Sequence, residues 1–131
     1  MGDNKWSVLV VEDDPDGQEM MTTLLGHLNI STDVAGDAAE AEQFLFQSGK
    51  TYNAAIIDLA LPDKDGWQIL SQVLADTRTA DLLCVAVTAY HTSKLREDAI
   101  LAGFKAYFSK PIDGTSFLRE LEKMLYQQES G

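Results

Sequence analysis

The chain has 131 residues, 45% of them apolar, which is enough for one domain with its own core, but no apolar run is long enough to span a membrane. Ten Lys and Arg against 21 Asp and Glu give a formal charge of −11, a surface that repels phosphate backbones and so argues against direct nucleic-acid binding. The start, Met1-Gly2-Asp3-Asn4-Lys5-Trp6, lacks the apolar stretch of a secretory signal and the hydroxyl residue of a myristoylation site, and the lone Cys84 cannot form an internal disulfide, so the expected setting is a reducing cytoplasm.

Short apolar runs alternate with amphipathic segments, the pattern of βα units around a parallel sheet. The run Val8-Leu9-Val10-Val11 predicts a first strand over 6–11, ending on Glu12 and Asp13. Pro15 opens a helix over 15–28, in which Met21, Leu24, Leu25 and Leu28 recur at helical spacing. The second strand, over 30–34, is half polar (Ile30-Ser31-Thr32-Asp33-Val34), which suits a sheet edge. Asp37 opens and Gly49 closes a helix over 37–48. Ala54-Ala55-Ile56-Ile57 forms a third strand, over 53–57, ended by Asp58, and a helix follows over 66–75. Cys84-Val85-Ala86-Val87 lies in a fourth strand, over 82–87, ended by Thr88 and followed by a helix over 92–102. Ala106-Tyr107-Phe108 belongs to a fifth strand, over 105–108, before Lys110 and Pro111. Phe117, Leu118, Leu121, Met124 and Leu125 mark the apolar face of a last helix, over 114–127, and a polar tail with no output domain follows. Strands three and four are continuous apolar runs, as expected where helices cover both faces of a sheet. Cys84, inside the fourth, reads as a small buried hydrophobe.

Five parallel strands with right-handed crossovers can be wound in the flavodoxin-like order 2-1-3-4-5, a three-layer α/β fold with five βα units. Strands one and three are then neighbours, and Asp13 and Asp58 meet at the point where the chain order reverses. In such sheets ligands bind at the carboxyl ends of the strands. Glu12, Asp13 and Asp58 could form the partial oxygen cage that Mg²⁺ prefers, leaving room for water and a substrate phosphate. Asp58 could accept a phosphoryl group, since carboxylates form acyl phosphates. Lys110 offers a mobile point charge and Thr88 a hydrogen-bond donor for phosphoryl oxygens. Singly, each residue has a plain structural explanation: a cap, a structural hydroxyl, a snorkelling lysine. Together, at four separate strand ends, they point to phosphoryl chemistry. His27 and His91 lack ligand-spaced partners and read as solvated or capping residues.

Over about residues 5–127 the chain resembles the receiver domain of two-component response regulators, the CheY-like superfamily. The matching pieces are Val10-Val11-Glu12-Asp13-Asp14-Pro15, Asp58-Leu59-Ala60-Leu61-Pro62-Asp63-Lys64-Asp65-Gly66, Val87-Thr88-Ala89 and Ser109-Lys110-Pro111-Ile112. The intervals also match: 30 residues from Asp58 to Thr88 and 22 from Thr88 to Lys110. The resemblance implies that Asp58 takes a phosphoryl group from a sensor histidine kinase or a histidine phosphotransfer protein. It implies Mg²⁺ held by Glu12, Asp13, Asp58 and the Ala60 backbone carbonyl. Lys110, with a cis bond to Pro111, would contact the phosphoryl group. Thr88 would move toward that group, and Tyr107, at the family's switch-aromatic position, would turn inward with it. The face built by the fourth helix, fifth strand and fifth helix would then engage a downstream protein, with Leu95, Arg96, Lys105, Tyr107, Leu118 and Glu122 as candidate surface residues. Such a protein works as a monomer or a phosphorylation-dependent dimer. It is a stand-alone regulator or part of a larger one, and no enzyme beyond assisting its own phosphorylation and dephosphorylation.

Two positions thought to tune acyl-phosphate hydrolysis in the family carry Ala60 and Tyr90 here, and bulky Tyr90 is expected to shield the phosphoryl group. A Mg²⁺-dependent phosphatase would need a second acid two residues after the nucleophile, where Ala60 stands. A flavin module would need a Ser/Thr/Gly-rich loop where Glu12-Asp13-Asp14 stands. A degenerate receiver acting only by binding is disfavoured because every chemical position is filled.

Overall fold

In a computed structural model describing residues 6–61 and 65–130, each of the ten expected elements forms. They are β1 (Ser7–Val11), α1 (Pro15–Gly26), β2 (Ser31–Ala35), α2 (Ala38–Glu42), β3 (Ala54–Asp58), α3 (Gly66–Ala75), β4 (Leu83–Thr88), α4 (Ser93–Ala102), β5 (Ala106–Ser109) and α5 (Gly114–Ser130). Pro62, Asp63 and Lys64 of the segment that follows Asp58 lie outside the described residues.

All strand pairs are parallel, in the order β2-β1-β3-β4-β5. Residue alternation sorts the strands' side chains into two cores. Val8 and Val10, Ala54 and Ile56, and Leu83, Val85 and Val87 face α1 and α5, against Met21, Leu25, Phe117, Leu121 and Leu125. Leu9 and Val11, Ala55 and Ile57, and Cys84 and Ala86 face the other way, against Ala41, Ile69, Leu70, Val73 and Ala99 of α2, α3 and α4. Every residue of β3 and β4 is buried. β2 is an edge strand as its composition predicts, with only Ala35 buried. Burial pushes the Cys84 thiol up to about 12, so thiol reagents are expected to leave the folded protein unmodified and to react on denaturation.

Helix openings follow from short polar side chains. Asp14, Asp37, Asp65 and Thr92 each accept the N–H three residues on, capping α1, α2, α3 and α4. Asp37→Ala removes the bond from Glu40 N–H (2.8 Å) and is expected to cost about 1 kcal/mol in chemical denaturation.

Several boundaries differ from expectation. α1 stops at Gly26 because His27, Leu28 and Asn29 close tight turns onto Leu24, Leu25 and Gly26, with Asn29 at φ +57°. The second half of the segment over 37–48 is a π-helical turn, Gln43–Gln47. Its wider turn draws Phe44, Leu45 and Phe46 into a narrower arc, with Leu45 buried and both rings against the core. Asp58 and Thr88 are the last strand residues rather than the first loop residues. The ladder runs one residue further, with Leu59 N–H on Val87 O (3.0 Å) after β3 and Lys110 N–H on Thr88 O (2.8 Å) after β5. The expected polar tail instead prolongs α5 to Ser130, where the Tyr126 ring meets Trp6 edge-on at 4.9 Å.

Candidate active site

Sheet register brings the four strand ends level. Val11 pairs with Ile57, Asp58 with Val87, and Thr88 with Ser109, so Glu12, Asp58, Thr88 and Lys110 share one edge. Glu12 and Asp58 are buried at 7% exposure and Thr88 at 1%, whereas Asp13 is open to solvent.

Lys110, 98 residues from Glu12 and 52 from Asp58, lies between them. Its Nζ donates to Glu12 Oε1 at 2.7 Å and to Asp58 Oδ2 at 3.1 Å. The Lys110–Pro111 peptide is cis, as the resemblance implies. Burial would by itself lower the ammonium, but the two carboxylates more than offset it and its pKa is raised. Burial is also the largest influence on Glu12, whose carboxyl is raised above 4.5 despite the Lys110 contact. Three carboxylates around one ammonium leave an excess negative charge at this edge. Ligand oxygens of Glu12, Asp13 and Asp58 lie within 4.8 Å of one another, a spacing and donor chemistry that fit a hard divalent cation.

The surrounding bonds orient these groups. Asp58 Oδ1 accepts from the exposed Ala60 N–H at 2.9 Å, and Glu12 Oε2 accepts from Asp14 N–H at 3.1 Å. Thr88 Oγ1 accepts from Tyr90 N–H at 3.0 Å, which orders the start of the loop into α4.

Three residues have structural duties here to which the sequence reading gives no role, Gly66 standing there only as the end of a matching motif. Gln18, one turn into α1, donates Nε2–H to the Glu12 carbonyl at 2.6 Å. Gly17 leaves room for the Glu12 side chain, which an added Cβ would meet at 2.9 Å. Gly66 lets α3 approach the Asp58 carbonyl. The glycines stand in the sequence at the first turn of each helix, but only packing gives them a purpose. Two expectations need correction. Tyr107 is no surface residue: it is 7% exposed, because its ring packs into the core shared with α4. Leu95 and Leu118 are likewise half-buried against the cores. Tyr90, by contrast, is 73% exposed.

Comparison with known proteins agrees with this geometry. The family model for the response regulator receiver domain matches residues 8–122. DevR/DosR, a DNA-binding transcriptional activator of Mycobacterium tuberculosis, is 31% identical over 116 residues, covering 88% of this chain and 52% of its own length. The chain therefore spans about half of that relative. An uncharacterized 14.6 kDa protein of Leptolyngbya boryana is 29% identical over 116 residues, 88% of this chain and 87% of that protein. Among solved structures, a CheY-like receiver domain protein of Methanospirillum hungatei superposes with TM-score 0.84 at 22% identity, covering 97% of this chain and 98% of that one. The receiver domain of a Pseudomonas aeruginosa sensor histidine kinase, crystallised with magnesium in its active-site cleft, gives 0.83 at 24% identity, covering 93% and 98%. At these identities both structures show the fold alone.

Proposed function

We propose a phosphoacceptor role on a plain premise: the chain belongs to the response regulator receiver domain family. Asp58 takes a phosphoryl group from the histidine of a sensor kinase or phosphotransfer protein. The histidine N–P bond breaks, an O–P bond to the Asp58 carboxylate forms, and the imidazole leaves with its nitrogen lone pair. The observation that carries this reading is the Lys110 ammonium held 3.1 Å from Asp58 Oδ2 at a carboxylate-lined strand edge. Phosphoryl transfer asks mainly for positioning and charge, and this edge supplies both.

Mg²⁺ is the cofactor that the donor set fits, and when bound it would neutralise charge on the transferring oxygens. Asp13 and Asp58 would hold it together with the Ala60 carbonyl. Glu12, whose ligand oxygen lies within 4.8 Å of theirs, would complete the set. Lys110 would follow the phosphoryl oxygens and Thr88 would donate its hydroxyl proton to one of them. The change at Thr88 and Tyr107 would bias the face formed by α4, β5 and α5, where a downstream protein binds. Residues 1–131 act as one receiver unit in a reducing cytoplasm, a signalling domain whose own chemistry is limited to gaining and losing this group.

Intact mass after incubation with Mg²⁺ and a small acyl-phosphate donor tests the reading. One phosphoryl adduct is expected on the parent, and none on Asp58→Asn or without Mg²⁺. An adduct that persists on Asp58→Asn removes Asp58 from the role. Tyr90→Ala should speed adduct loss if the exposed ring folds over the group; an unchanged rate removes that shielding.

A further inference from the structure

Tyr107 lies in β5 beside Ala86 of β4. Although its ring is buried, its hydroxyl is 3.0 Å from His91 Nδ1, and the two rings lie 5.5 Å apart at 51°. His91 itself is exposed and belongs to the four-residue loop, 89–92, that leads from Thr88 into α4. Both ends of that loop are tied. Tyr90 N–H bonds Thr88 Oγ1 at 3.0 Å, and the Thr92 side chain caps α4 by accepting from Leu95 N–H at 3.0 Å. The Thr92 amide and the Arg96 side chain also bear on the Tyr107 oxygen. Thr88, the loop and Tyr107 are thus joined by successive polar contacts, and His91 supplies the side-chain contact that crosses from loop to strand.

We propose that His91 is a positioning residue that couples the Thr88 hydroxyl to Tyr107, so that a change at Asp58 reaches β5 through this loop. The proposal rests on Asp58 accepting a phosphoryl group. Thr88 has one hydroxyl proton. Rotating the Thr88 side chain to bring that proton onto a phosphoryl oxygen at Asp58 carries Oγ1 away from Tyr90 N–H, and the loop, anchored at its other end by Thr92, re-sets about that anchor. His91 moves with the loop, and the Tyr107 hydroxyl must then follow it or lose that partner. Coupling of this kind needs a physical contact with two arrangements, which a hydrogen bond between an exposed loop and a buried ring provides.

The test uses the full chain labelled with fluorotyrosine, the Tyr107 signal being assigned by its loss in Tyr107→Phe. Fluorine NMR and intact mass are recorded before and after treatment with Mg²⁺ and an acyl-phosphate donor. In the parent, the Tyr107 signal should move in proportion to the phosphorylated fraction. His91→Phe keeps a ring but no ring nitrogen. It should form the same adduct while the coupling of Tyr107 to phosphorylation falls about fivefold, the weight of one net hydrogen bond. His91→Gln, which retains a hydrogen-bonding head, should restore most of the response. A merely structural His91 would lower thermal stability in both variants and leave the response intact. Full retention of the Tyr107 response in His91→Phe overturns the proposal, as does a phosphorylated parent whose Tyr107 signal stays still. Absence of the adduct on the parent is read by mass alone; it overturns the phosphoacceptor reading and takes the coupling with it.

Discussion

Lys110→Ala is expected to slow adduct formation on Asp58 by about a hundredfold to a thousandfold, the usual cost of removing one preorganised donor from developing charge. Lys110 Nζ already sits 3.1 Å from Asp58 Oδ2 and 2.7 Å from Glu12 Oε1, so no reorganisation is needed when a phosphoryl group arrives. The rate is read by intact mass against time at fixed Mg²⁺ and donor. A variant within about tenfold of the parent would place the electrostatic contribution elsewhere.

The same substitution carries a signed pH effect. The Lys110 contact lowers the Glu12 carboxyl, and burial, the larger influence, raises it. Without the lysine the Glu12 carboxyl moves further above 4.5 in the folded state. A folded-state value above the unfolded one favours the protonated form of the native protein. The stability deficit of Lys110→Ala relative to the parent should therefore be small below about pH 4.5 and grow as pH rises through the raised Glu12 value. Denaturation of both proteins across the acid range checks this. A deficit that shrinks as pH rises would contradict it.

Gly66→Ala is expected to cost about 1–3 kcal/mol, the usual cost of overpacking. A Cβ at this position would stand 2.6 Å from the Asp58 carbonyl oxygen, 2.8 Å from Ile57 Cγ2 and 3.0 Å from Leu59 Cα. Two of these neighbours are backbone atoms and cannot swing away. The opposing gain from alanine in a helix is only about 0.5–1 kcal/mol, so the clash decides the sign. Because relief would push β3 away from α3, Asp58 should also leave its place beside Lys110, and adduct formation should slow together with the loss of stability. Gly26→Ala is the control: at the end of α1 a Cβ meets nothing within 4 Å, and a neutral result or a gain of up to about 1 kcal/mol is expected. Equal destabilisation by the two substitutions would show that close approach at Gly66 is not what the glycine provides.

What could be read from the sequence alone was whatever repeats locally. Continuous apolar runs in Val8–Val11, Ala54–Ile57 and Cys84–Val87, and helical spacing in Met21–Leu25 and Phe117–Leu125, placed ten elements to within a few residues, because a strand covered on both faces is apolar throughout and a helix face imposes a fixed period. The half-polar β2 announced its edge position for the same reason. The acidic pair, Asp58, Thr88 and Lys110 were visible as polar residues closing apolar runs. Other features depended on distance through space rather than along the chain. Sheet register and side-chain rotamer put Lys110 between two carboxylates 52 and 98 residues away, turned the Tyr107 ring inward to a loop histidine, and aimed Gln18 at the Glu12 carbonyl. The π turn after α2 and the close approach at Gly66 arise from how helices seat on the finished sheet. A local period specifies which face of an element is buried. Only the assembled sheet decides which side chains meet across it, since those contacts are set by register and packing between segments that the sequence keeps apart.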